Sequence, residues 1–167
     1  MATIKSLTVI FIVVILLNSC VYHDISDPEY VSATDESLFD EVNAQGYTYY
    51  QSGNTIAPAA QSLHGMFRLR FNPTAFQALD AAGELPSDAR FPMGSVIVKE
   101  LYLNSNLTIL AVMKKTPADL NAVDGWLWAE YALDGTPVIG IDRRGGSCVN
   151  CHNESPNRDL VRTFDFH

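Results

Sequence analysis

The sequence predicts an α+β fold, one antiparallel sheet with a few short helices. Three observations predict it. Residues 67–71 alternate apolar and charged, and two pairs of apolar runs further on are each joined by a tight turn. Short connections of that kind leave neighbouring strands antiparallel, so a domain of 58–167 built around one sheet is expected.

Taken in order, the chain opens with MATIKSLTVIFIVVILLNSC, in which Lys5 is the only charge. The apolar run over 7–17 is shorter than the roughly 20 residues of a membrane-spanning helix. It reads as a secretory signal over 1–19. The end of that stretch, Leu17-Asn18-Ser19-Cys20, resembles the bacterial lipobox, which implies acylation of Cys20 as the mature N-terminus. An ordinary signal peptide or an uncleaved anchor is the alternative, and the chain is exported in either case. No Lys or Arg occurs between Lys5 and Arg68, while Asp24, Asp27, Glu29, Asp35, Glu36, Asp40 and Glu41 all do. Residues 20–57 therefore read as an acidic tether with a short helix from Ser37.

From Pro58 the pattern changes. Phe67, Leu69 and Phe71 alternate with Arg68 and Arg70, the signature of a strand with one charged face. Asn72-Pro73 can cap and start a helix over 73–82, with Gly83 after its last turn. SVIVKELYL (95–103) and LTILAVMKK (107–115) flank Asn104-Ser105-Asn106, and GWLWAEYAL (125–133) meets 136–141 across Asp134-Gly135. Both read as hairpins. Residues 157–162 read as a capped final turn.

Composition narrows the function. With 167 residues, 11 Lys+Arg against 19 Asp+Glu and a net charge of -8, no basic face is available for a nucleic acid. Three cysteines are too few for a disulfide-knit miniprotein.

Gly146-Ser147-Cys148-Val149-Asn150-Cys151-His152 contains Cys-x-x-Cys-His, the arrangement that attaches a c-type haem. Two thiols three positions apart can each add to one vinyl group of a porphyrin, and His152 is then delivered beneath the iron as an axial ligand. A structural zinc would need two further ligands at matching spacing, and the remaining histidines, His23, His64 and His167, are scattered. A redox dithiol normally opens a helix after a strand of a βαβ unit, whereas Arg143-Arg144-Gly145-Gly146 precedes this motif. Only 15 residues follow His152 and none is Met, which excludes the common electron-carrier layout with a downstream Met ligand.

FPMGSVIVKELY, LTILAVMKK, DGWLWAEYALDG and GSCVNCH, taken together over roughly 64–167, resemble the cytochrome P-460 family, which includes the β-sheet cytochromes c prime beta. The resemblance implies an antiparallel-sheet fold that pairs into homodimers, a five-coordinate haem with a proximal His, and a distal pocket for small nitrogen or oxygen ligands. It also implies one of two chemistries: hydroxylamine oxidation with a Lys cross-linked to the haem, or binding of nitric oxide or carbon monoxide in an apolar pocket. No position here matches that Lys.

Alternation in 95–103 places Ile97, Lys99, Leu101 and Leu103 on one face and Val96, Val98, Glu100 and Tyr102 on the other. Lys99 and Glu100 are accordingly the candidate distal groups, able to move protons if buried beside the iron; a sheet-edge or cross-strand role is the alternative. Lys114 and Lys115 are weaker candidates. Phe67, Phe71, Phe76, Phe91, Trp126 and Trp128 either wall the pocket or fill the core. His64, Met66, Met93 or Met113 could fill the sixth iron position, giving a six-coordinate electron-transfer cytochrome c without a substrate. Some of Arg143, Arg144, Arg158 and Arg162 are expected to neutralise haem propionates.

The expectation is an exported mono-haem c-type cytochrome with one covalent haem on Cys148 and Cys151 and His152 on the iron. It would be lipid-anchored at Cys20, facing the periplasm at a bacterial outer membrane, and would serve a small nitrogenous ligand and a redox partner protein.

Overall fold

The computed structural model describes residues 32–59 and 62–167. The signal, Cys20 and the first part of the expected tether lie outside the described residues.

Six strands form one antiparallel meander in chain order: β1 (Thr48–Tyr49), β2 (Met66–Phe71), β3 (Val96–Leu103), β4 (Asn106–Lys115), β5 (Trp126–Ala132) and β6 (Pro137–Ile139). The β3–β4 hairpin turns through Asn104 and Ser105, both at positive φ, as a two-residue connection of matching twist requires. In the β5–β6 turn only Gly135 adopts positive φ; the Asp134 side chain instead accepts from the Thr136 amide at 2.9 Å.

Each face of the sheet carries its own core, because the strands alternate apolar residues on both sides. Phe67, Leu69, Phe71, Ile97, Met113, Trp126 and Trp128 pack with Leu85, Phe91, Leu160, Val161 and Phe164. Val96, Val98, Leu110, Val112, Leu127, Ala129 and Tyr131 pack on the other side with Leu38, Val42 and Ile141.

That second core corrects the tether. Residues 34–57 belong to the domain: α1 (Asp35–Val42) buries Leu38 and Val42 against the sheet. Thr34 caps it, its Oγ1 accepting from the Ser37 amide while Ser37 Oγ accepts from the Thr34 amide. Asp35 accepts from the Tyr131 hydroxyl at 2.9 Å and the Ile141 amide at 3.1 Å, and Glu41 pairs with Lys114 at 2.6 Å. After β1 a short 3₁₀ turn (Tyr50–Gly53) and the bridge from Ile56 to Phe67 close the first core.

The helix expected over 73–82 is a single turn, α2 (Pro73–Phe76). Asn72 caps it as expected, and the same Oδ1 accepts from Val96 at the start of β3, so the side chain ties two elements together. Beyond it, Asp80 accepts from the Ala82 and Glu84 amides and bends the chain away from helix. The motif lies on α3 (Gly146–His152), preceded by a 3₁₀ turn (Ile141–Arg143). Residues 157–162 form a bridged turn with Asp159 and Leu160 at positive φ, and α4 (Thr163–Phe166) follows. Among the described residues no helix is long and apolar enough to cross a membrane.

Candidate haem site

Sheet register builds the floor of the site. Leu69, Lys99, Ala111, Glu130 and Ile139 are successive cross-strand partners, one row running from β2 to β6 on the same face as α3. Ala111 is the small residue in the middle, with a Lys and a Glu on either side. Above that row opens a cavity of about 570 Å³, within the roughly 300–1,000 Å³ range of small-molecule and cofactor sites. Lys99, Leu101, Glu130, Ile139, His64, Cys148, Cys151 and His152 all reach it, and Arg162, Thr163, Phe166 and His167 close one side. A smaller cavity of about 50 Å³ adjoins it between Met113, Trp128 and Val161.

Both motif cysteines are unpaired and half-buried at the wall. Burial, reinforced by the Glu130 carboxylate, pushes the Cys148 thiol up. Arg162 donates to the Cys151 carbonyl at 2.8 Å and lies 3.1 Å from its Sγ. Glycine sets the angle at which α3 enters. Gly145 has φ +76, and a Cβ there would come within 2.4 Å of Val149 Cγ2 and 3.0 Å of Trp128 Cδ1.

His152 is held at two points. Its Nδ1 lies 2.7 Å from the Leu160 carbonyl, which can only accept, so the proton is on Nδ1 and the Nε2 lone pair is free for a metal. Trp128 packs edge-on against the ring at 4.9 Å between centroids. Burial outweighs the Leu160 bond and, with smaller contributions from Lys99 and Arg162, lowers the imidazole to about 4, so the ring is neutral at physiological pH. Leu160 is itself anchored by its neighbour. The buried Asp159 carboxylate accepts from Lys115 Nζ at 2.8 Å, Arg90 at 3.2 Å and the Phe91 amide at 2.9 Å.

Two free thiols, a pre-oriented neutral imidazole and a cavity of this size make a donor set that suits a haem. Among the described residues no group of three or more His, Cys, Asp or Glu side chains converges as a separate metal site.

The two candidate distal charges separate cleanly. Lys99 faces the cavity, its Nζ 4.0 Å over the Phe67 ring, and burial lowers its amine to about 8. Glu100 does not reach the cavity, which corrects its candidacy: it points to the opposite face, where Arg68, Arg70, Tyr49 and Tyr102 all donate to its carboxylate. Strand alternation forces that outcome once Lys99 faces inward.

Lys114 and Lys115 end in ion pairs with Glu41 and Asp159, away from the cavity. Phe67, Phe71, Phe91, Trp126 and Trp128 are core, and Phe76 is exposed. Met66 and Met93 are exposed outside the cavity, while Met113 is buried beneath it. Of the four arginines, Arg162 alone lines the cavity; Arg143 and Arg144 are exposed, and Arg158 pairs with Glu84 and Asp165.

Glu130 is a charged cavity residue that sequence reading missed, and His167, read as scattered, lines the cavity as well. Burial raises the Glu130 carboxyl above the ordinary value. The signal was present: Trp126, Trp128 and Glu130 share one strand parity, so a charge follows two core aromatics on one face.

No curated protein matches the chain. The family model for cytochrome P460 matches residues 44–163, a span that holds all six strands, the Cys-x-x-Cys-His helix and the Leu160 carbonyl behind His152. The chain belongs to the cytochrome P460 family, which implies a haem as its cofactor.

Proposed function

We propose that the protein is an exported, lipid-anchored mono-haem c-type cytochrome that binds, oxidises or reduces a small nitrogenous ligand such as nitric oxide or hydroxylamine. Cys148 and Cys151 would hold the haem, each by adding its S–H across one vinyl group so that an S–C bond forms and the hydrogen goes to the other vinyl carbon. His152, with Nδ1 tied to Leu160, would hold the iron through Nε2. The observation that carries the reading is the cavity of about 570 Å³ with both unpaired cysteines and the tethered His152 on its wall.

The haem supplies a redox-active iron for ligand binding and electron exchange. Around it, this chain's residues set proton availability and polarity. Lys99, lowered to about 8, exchanges protons near neutral pH more readily than an ordinary Lys. Glu130 stands two strands away in the same row, and its raised carboxyl suits it to accept or return a proton. Hydroxylamine redox chemistry moves protons with electrons, which this pair supports. Arg162 is placed to neutralise a propionate. Electrons pass to or from a partner protein, the lipid at Cys20 holds the domain at the periplasmic face of the outer membrane, and two copies pair as a homodimer.

Haem staining of a denaturing gel tests the attachment. The full-length protein stains after boiling, and Cys148→Ala/Cys151→Ala does not. An unstained wild-type band overturns the reading. Addition of nitric oxide to the stained protein shifts its haem absorption bands; bands that ignore nitric oxide overturn the small-ligand function.

A further inference from the structure

Two imidazoles besides His152 reach the cavity, those of His64 and the exposed C-terminal His167. His64 sits just before β2, in a turn pinned by Ser62, whose Oγ accepts from the His64 amide at 3.1 Å and donates to its carbonyl at 3.3 Å. The His64 ring is centred 6.5 Å from the His152 ring, with the planes 73° apart. Two imidazoles bound on opposite sides of one metal, each with a metal–nitrogen bond of about 2 Å, hold their ring centres roughly 6–7 Å apart. The separation found matches that requirement, and both rings line the same cavity as the two thiols.

The ring is also uncommitted. No hydrogen bond joins it to another described residue, in contrast with His152, whose Nδ1 is taken by Leu160. Among the other iron donors, Met66 and Met93 are exposed outside the cavity, Met113 lies in the core, and His167, at the exposed cavity edge, packs its ring on Phe67 at 5.3 Å between centroids. Lys99 Nζ rests on the Phe67 ring.

We propose that His64 is the second axial ligand of the haem iron in the resting protein, so that an incoming small ligand must displace it. The proposal rests on the haem attachment argued above and adds a residue to the site. It makes the turn at 62–65 the gate to the iron, with β2 as its fixed end. A bound His64 lowers apparent ligand affinity by the fraction of time the position is free.

Electron spin resonance and absorption spectra of the ferric full-length protein test it, with haem staining as the control for attachment. Wild type is low-spin, His64→Ala is high-spin, and added imidazole returns His64→Ala to low spin. Lys99→Ala stays low-spin. Carbon monoxide binds ferrous His64→Ala about tenfold faster or more than wild type. A stained wild type that is high-spin, or a stained His64→Ala that keeps the wild-type low-spin spectrum, overturns the proposal and leaves the attachment standing. An unstained wild type removes the attachment on which both rest.

Discussion

Adjacent residues in β3 show how far one position decides a role. Lys99 and Glu100 carry opposite charges and opposite orientations, one at the haem-side cavity and one at the centre of an ion-pair group. Alternation made it legible that one of them shares an apolar face; which one depended on the neighbouring strands. Burial alone would push the Glu100 carboxyl up, but hydrogen bonds from Arg68 and Tyr49 and the charges of Arg68 and Arg70 outweigh it and hold it below the ordinary value. Its stabilisation is therefore complete above the unfolded carboxyl pKa of about 4.5 and is lost as pH falls through the folded value. Glu100→Gln lowers stability at pH 7 by about 2–3 kcal/mol and flattens the acid limb, measured by urea denaturation from pH 3 to 7. An acid limb unchanged from wild type contradicts this assignment. The Cys-x-x-Cys-His motif, which the structure places on the cavity wall, was legible from spacing alone, whereas the Leu160 carbonyl that sets the His152 tautomer was not, because a backbone acceptor has no side-chain signature.

Among the elements, α3 depends on one glycine and the second core on one helix. Gly145→Ala forces a positive-φ Ala against Val149 and Trp128, so α3 must shift. The expected cost is about 2–4 kcal/mol, with reduced haem incorporation read from the ratio of haem to protein absorbance. Leu38→Ala empties a site that is 1% exposed and costs about 2–4 kcal/mol by thermal or urea melts. A change below about 0.5 kcal/mol would mean that α1 is the solvated tether the acidic composition suggested. The hairpins were readable because turn chemistry and apolar periodicity agree there. The short helix expected from Ser37 is present, beginning at Asp35, but its docking on the sheet was obscured because its eight residues hold four acids and only Leu38 and Val42, four apart, mark the buried stripe. Two of those acids, Asp35 and Glu41, are partnered across the fold, a use of charge that composition cannot reveal.

In the molecule as a whole, a six-strand sheet divides labour between its faces. One side holds α1 and the Arg–Glu–Tyr group, the other the cavity and the motif helix. The cavity concentrates two half-buried neutral imidazoles, His64 and His152, each lowered from 6.5 to about 4 chiefly by loss of solvent. Between those values the unfolded chain binds protons that the folded chain refuses, so stability of the haem-free protein rises with pH from about 4 to 6.5. Urea midpoints at pH 5 and 7 check the sign, and His64→Ala narrows the difference. Membership of a haem-protein family was legible through the motif and strand phrases, but the other residues of the cavity came only from register and from the loop before β2, which no local pattern links to α3.

The most direct test is the mass of the denatured full-length protein together with that of the peptide carrying Cys148 and Cys151. One haem retained on that peptide, with both thiols consumed, is the expected result. Free cysteines there, or a haem that washes out on denaturation, would contradict the account.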